Sequence, residues 1–202
     1  MNYATIKYFD IANGPGVGVS LFVSGCPVHC PGCFNKEAWD FNYGYPYTSK
    51  TTDEIVKFFI DNPQVRTFSL LGGEPMAQDL SGIAQLGHLV QELKEKTNCQ
   101  HFWIWSGQKY EDLIPQPGKC LLGLFDVLVD GPFIISKFNS NLKWRGSANQ
   151  RVIDVQASLT AGKVVLHPDS NTVNDFYPEK AYDPCADMTP EEIKAKYLDI
   201  YE

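Results

Sequence analysis

The chain has 202 residues, 44% of them hydrophobic and 20% charged, and no apolar run approaches the roughly 20 residues needed to cross a bilayer, which points to one globular domain and no membrane partner. Seventeen Lys and Arg against 24 Asp and Glu give a formal charge of −7, which removes the broad positive surface that nucleic-acid binding requires. Residues 1–10 alternate polar and aromatic side chains and lack the basic and apolar regions of an export signal, so a cytoplasmic location is expected.

In chain order, residues 17–24 read as a short apolar strand preceded by the turn Asn13-Gly14-Pro15-Gly16. A loop rich in Cys, Pro and Gly follows, then a long aromatic loop containing Tyr43, Tyr45 and Tyr47. Thr51 and Glu54 predict a capping box for a helix running to about Asp61. Residues 65–71 form the next expected strand, ending at Gly72-Gly73. Leu80, Ile83, Leu86, Leu89, Val90 and Leu93 recur at helical spacing, which predicts an amphipathic helix over 79–96. Residues 101–105, 125–129 and 152–155 read as further strands, with a helical turn at 110–114. Strands separated by helices predict an α/β fold with parallel βαβ units, and an open, partial β/α barrel is preferred to a doubly wound sheet. In either architecture sites lie at the C-terminal ends of the strands. Residues 1–157 are expected to be the core domain. Residues 158–202 are expected to be a turn-rich extension closed by an amphipathic helix, with Thr189 as N-cap, Pro190 and Glu192 in the first turn, and Ile193, Tyr197, Leu198 and Tyr201 on one face.

Six cysteines need a reason where disulfides are not expected. Cys99, Cys120 and Cys185 are scattered singly and read as small apolar residues, whereas Cys26, Cys30 and Cys33 lie within eight residues. Thiolates are the ligands that iron–sulfur clusters and zinc select. A structural zinc site closes with four ligands, so three leave one iron of a 4Fe-4S cluster free for a substrate. Spacing alone leaves open a zinc site completed by His29 and a redox dithiol at Cys30 and Cys33. Neither explains the second motif, Leu70-Leu71-Gly72-Gly73-Glu74-Pro75, whose glycines let a ligand approach the backbone and whose strand-end carbonyls can accept from an ammonium group.

The cysteine spacing followed by Gly-Gly-Glu-Pro resembles the radical S-adenosylmethionine (SAM) superfamily. Asn13-Gly14-Pro15-Gly16, LFVSGCPVHCPGC at 21–33, Phe34-Asn35-Lys36, WIWSG at 103–107, VLVDGPF at 127–133 and LKWRGSANQRVIDV at 142–155 narrow it. Together they resemble the activating enzymes of anaerobic ribonucleoside-triphosphate reductases, over about residues 1–155. The resemblance implies that Cys26, Cys30 and Cys33 hold a 4Fe-4S cluster whose fourth iron binds SAM. It implies that reductive cleavage of SAM yields a 5′-deoxyadenosyl radical, which abstracts a hydrogen from a glycine Cα of the reductase. Gly72, Gly73 and Glu74 would hold the methionyl amino end of SAM, chiefly through backbone atoms. Gly32 and Phe34 would lie near the adenine, and Asp130 would meet the ribose or the methionyl group unless it is a cap or turn residue. Ser106 and the polar run Arg145, Ser147, Asn149, Gln150 and Arg151 would complete the pocket or the partner face, although the two arginines can equally pair with surface carboxylates. The expected partners are the reductase and a small electron donor such as a flavodoxin, and a homodimer is compatible with the chain. An activator of a different glycyl-radical enzyme and a non-catalytic iron–sulfur carrier are the alternatives. Relatives usually carry an arginine where this chain has Gly18, a role that Lys36 is a candidate to take over.

Overall fold

In the computed structural model, residues 1–116, 118–171 and 192 are described. The expected terminal helix and Cys185 lie outside them. Seven strands form one sheet: β1 (Asn2–Asp10), β2 (Gly18–Val23), β3 (Tyr45–Pro46), β4 (Thr67–Gly72), β5 (His101–Ser106), β6 (Val127–Asp130) and β7 (Arg151–Asp154), in spatial order β3-β1-β2-β4-β5-β6-β7. The central four, β2, β4, β5 and β6, are parallel, as the sequence predicts. The edges depart from a purely parallel sheet, because β1 pairs antiparallel to β2 and β3, and β7 antiparallel to β6.

Helices α1 (Ser49–Asp61), α2 (Leu80–Lys96), α3 (Tyr110–Leu113) and α4 (Lys119–Leu122) occupy the crossovers between successive parallel strands. The parallel strands follow one another without reversal, so right-handed crossovers place all of these helices on one face. Packing agrees. Val19, Leu21, Phe68, Leu70, Phe102, Ile104 and Leu128 share one buried cluster with Ile55 and Phe59 of α1, Leu86 and Leu89 of α2, and Leu121 of α4. The alternate strand residues Trp103, Val127, Val129 and Val152 form a separate cluster with Trp105 and Trp144 packed against it. This is single rather than double winding. The sheet ends at β3 and β7, with no pairing that closes it among the described residues.

Several local expectations are corrected. The N-cap of α1 is Thr48, three residues before the expected Thr51, and the Thr48 amide donates to Thr51 Oγ1 at 3.2 Å. Residues 2–10 form β1, whose alternation is broken by register shifts between Tyr3 and Thr5 and between Lys7 and Asp10, with Phe9 at φ 54° in the second. A fifth helix, α5 (Val155–Ala161), starts on Asp154, which accepts from Ala157 N at 2.9 Å, and stops at left-handed Gly162. After it, residues 164–171 fold back on β7 through a bridge between Ile153 and Leu166. At Gly18 a Cβ would lie 2.6 Å from the Thr67 carbonyl oxygen, so the strand pair leaves no room there for a side chain. No helix among the described residues is long and apolar enough to cross a membrane.

Leu70 is fully buried at the centre of β4. Leu70→Ala is expected to lower unfolding free energy by about 2–5 kcal/mol. Asp79, whose side chain caps α2 by accepting from Gly82 N at 2.7 Å, is expected to cost about 1 kcal/mol when replaced by Ala. Urea denaturation of the two variants checks the ranking; equal losses would contradict it.

Candidate functional site

The C-terminal ends of the four parallel strands bring Cys26, Gly73, Ser106 and Asp130 to one end of the sheet. Past β2 the chain enters the cysteine loop, which a 3-10 turn at Lys36–Trp39 closes: Gly25 N donates to Ala38 O at 2.8 Å and Cys26 N to Trp39 O at 3.1 Å. Past β4, Gly73 N donates to Val23 O and Glu74 N to Gly25 O, both at 2.7 Å. The two motifs, nearly 50 residues apart in sequence, are thus directly hydrogen-bonded. Close approach demands glycine here, since a Cβ on Gly73 would sit 2.5 Å from the Gly25 oxygen. Gly72 has φ 109° and would place a Cβ 2.7 Å from the Phe22 backbone. Gln78, which the sequence gives no reason to single out, clamps the same junction by donating to Ser24 O at 2.9 Å and Glu74 O at 3.1 Å.

Glu74 is fully buried. One carboxylate oxygen accepts from Met76 N at 3.0 Å, and the other from Gly107 N at 2.7 Å and Ser106 Oγ at 3.1 Å. Burial pushes its pKa up to about 7 against the downward pull of these donors. Ser106 also accepts from Gln108 N at 3.0 Å, so its hydroxyl serves Glu74 and the β5 turn. Asp130 is also buried. Its carboxylate accepts from Arg151 Nε at 2.9 Å, from Arg151 Nη2, and from Tyr110 N at 2.8 Å at the start of α3. Arg151 reaches on to Glu111 through both terminal nitrogens and holds that carboxyl down at about 2. Arg151 therefore pairs with carboxylates, as one of the two sequence readings has it. Arg145 has no such pair among the described residues: its Nε and Nη1 are buried without an acceptor there.

The three cysteines are half-buried. Burial raises the Cys26 thiol and pushes Cys30 up to about 11, while the amides of Val28 and His29 favour the Cys26 thiolate and that of Phe133 the Cys30 thiolate. Asn35 N points at Cys33 Sγ at 3.4 Å. Amides directed at sulfur suit thiolates ligating iron. Among the described residues no three His, Cys, Asp or Glu converge as one metal ion would require. A cubane asks for something else, one iron per thiolate, and the donor set fits it. His29 stacks on Trp39 with ring centroids 4.6 Å apart, and nothing among the described residues supports the zinc alternative it would complete. Gly32 faces Ile135, where a Cβ would lie 2.8 Å from Cδ1, and Phe34 is 85% exposed beside Cys33.

Burial pushes Glu74 from its ordinary 4.5 up to about 7, so the stability it confers is full below pH 4.5 and declines as pH rises through about 7. Glu74→Gln is expected to flatten the stability profile of the metal-free protein over that interval, measured by thermal melts at stepped pH. Asp130→Ala is expected to cost about 3 kcal/mol, because it strips a buried partner from Arg151. Glu111→Ala, at the solvent-exposed end of the same pair, should cost less than about 1 kcal/mol.

Residues 12–153 match the model of the 4Fe-4S single cluster domain family. An anaerobic ribonucleoside-triphosphate reductase-activating protein of Vibrio cholerae is 40% identical over 152 residues, covering 74% of this chain and 96% of the relative. The protein of that name in Escherichia coli K12 is 38% identical, covering 75% and 97%, and that of Enterobacteria phage T4 is 33% identical, covering 75% and 93%. The chain belongs to the family of anaerobic ribonucleoside-triphosphate reductase-activating proteins, built on a 4Fe-4S cluster domain.

Proposed function

We propose that this chain is a cytoplasmic radical SAM enzyme that installs a glycyl radical on an anaerobic ribonucleoside-triphosphate reductase. The observation that carries the reading is the pair of hydrogen bonds from Gly73 and Glu74 to Val23 and Gly25, which sets a Gly-Gly turn against a three-cysteine loop. A zinc module or an electron carrier has no use for such a turn. Cys26, Cys30 and Cys33 hold the 4Fe-4S cluster. The chemistry such a cluster would supply when loaded is one-electron reductive cleavage of SAM to methionine and a 5′-deoxyadenosyl radical, the species that would take a hydrogen from a glycine Cα of the reductase.

The chain's own residues bind, orient and exclude water. The amides of Gly73 and Glu74 are committed to the cysteine loop, so the turn meets the methionyl ammonium with carbonyl oxygens. Glu74 and Ser106 act through that turn, holding it against β5. Asp130, whose two carboxylate oxygens both accept from Arg151, serves the ribose or methionyl end by ordering the next strand end. Gly32 lets the loop after β6 close on the cysteines, and Phe34 presents an apolar ring beside them toward the adenine. In this reading the sheet is the partial barrel of the superfamily, with 1–157 as its core and 158–202 as an extension. A small flavodoxin-type protein supplies the electron.

After anaerobic reconstitution and reduction, the protein is expected to convert SAM to 5′-deoxyadenosine and, with the reductase present, to generate a glycyl radical detectable by electron paramagnetic resonance. Alanine at Cys26, Cys30 or Cys33 should abolish iron retention and deoxyadenosine formation. Gly73→Ala should lose SAM binding and, because its Cβ would push on the Gly25 and Ala38 carbonyls, weaken iron retention as well. Cleavage without a radical on the reductase would keep the chemistry and reject the partner; an intact, reducible cluster that leaves SAM uncleaved would reject both.

A further inference from the structure

Arg145 and Arg151 belong to one polar segment and stand in opposite states. All three guanidinium nitrogens of Arg151 are engaged by Asp130 and Glu111. Arg145 Nε and Nη1 are buried with no acceptor. Arginine cannot shed its proton to relieve this, so a buried guanidinium without a counter-ion is a standing cost. The chain holds Arg145 in place from both sides. Trp144 before it adopts φ 66°, a strained conformation for a bulky residue, and its carbonyl accepts from Trp105 Nε1 at 2.9 Å. Gly146 after it donates to Gln150 Oε1 at 3.0 Å and abuts Phe133, whose amide serves the Cys30 thiol. Arg145 therefore lies between the tryptophan cluster on the helix-free face and the cysteine loop.

The same shortfall recurs on both borders of the site. Asn149 donates to Pro132 O at 2.8 Å yet leaves its Oδ1 buried and unpartnered. Asn35 Nδ2 and Ser24 Oγ, each two residues from a cysteine, are likewise buried without partners.

We propose that Arg145 is the receptor for a carboxylate delivered to this site. Carboxylate is the chemistry that matches a half-buried guanidinium with two buried, unpaired nitrogens, by charge-assisted bonds to more than one of them. Two sources can deliver it: the methionyl end of SAM, or an acidic group of the protein substrate. The assignment rests on the proposed function for the identity of these ligands, not for the state of Arg145.

The test uses the reconstituted protein with Arg145→Met and Arg145→Lys. Dissociation constants are measured for SAM, for decarboxylated SAM, and for the reductase without SAM. Arg145→Met is expected to weaken SAM about ten- to a hundredfold, leave decarboxylated SAM unchanged, and be partly rescued by Arg145→Lys. It should melt no lower than wild type without ligand, since it removes a cost rather than a contact. Unchanged SAM affinity with at least tenfold weaker reductase binding assigns the carboxylate to the protein substrate. Unchanged affinity for both, or equal weakening of SAM and its decarboxylated analogue, overturns the proposal. Failure of the wild type to bind SAM at all would instead count against the proposed function.

Discussion

A carboxylate with no access to water sits where three strands end, and its need for donors organises the site. Glu74 takes them from Met76 on its own turn and from Ser106 and Gly107 at the end of β5. Meeting that demand fixes the spacing of the β4 and β5 ends, because a missing donor would leave buried charge uncompensated. The amides of Gly73 and Glu74 then bind the carbonyls of Val23 and Gly25, which adds the end of β2 to the same unit. Cys26 follows immediately. The position of the first expected cluster ligand is therefore set by backbone hydrogen bonds whose geometry depends on a buried acid at the end of the adjacent strand.

The neighbouring strand end solves the same problem with opposite charge. Asp130 is as deeply buried as Glu74 but is neutralised by Arg151, and the pair joins β6, β7 and α3. The two solutions differ in consequence. Burial raises Glu74 against the pull of its amide and hydroxyl donors, whereas Asp130 has a guanidinium as its partner. Between these anchors runs the segment carrying Phe133, Ile135 and Arg145, which leans on the cysteine loop through Cys30 and Gly32. Ser106 and Asp130 thus contribute as much through what they hold as through what they could touch.

What could be read from the sequence followed from locality. The spacing of Leu86, Leu89, Val90 and Leu93 gave α2 within a residue, because helical periodicity depends on near neighbours, and the apolar runs gave β2, β4, β5 and β6. β1 stayed hidden because none of its residues is fully buried and it carries no apolar run, and the antiparallel pairing of β7 depends on a partner no local pattern names. At the site, residue type marked the cysteines and the Gly-Gly-Glu turn. It did not mark Gln78, whose clamp exists only when Ser24 and Glu74 are brought together. Arg145 and Arg151 look alike in sequence. Only the fold, by giving one of them two carboxylates and the other none, tells them apart.

That difference bears on how such a site can be safe. An enzyme-generated carbon radical must be kept from water and stray hydrogen donors, and exclusion is usually completed by closure. Here the helices cover one face of the sheet, the cysteines are only half-buried, and Phe34 stands 85% exposed beside Cys33. The described residues leave the cysteine loop half-exposed and Arg145 without a counter-ion among them. Under the proposed function both deficits are met by arrivals: an anion supplies the missing charge, and the reductase covers the apolar ring. Coupling the two would make the reactive state conditional on the presence of the substrate glycine, which is the condition under which generating the radical is productive rather than damaging.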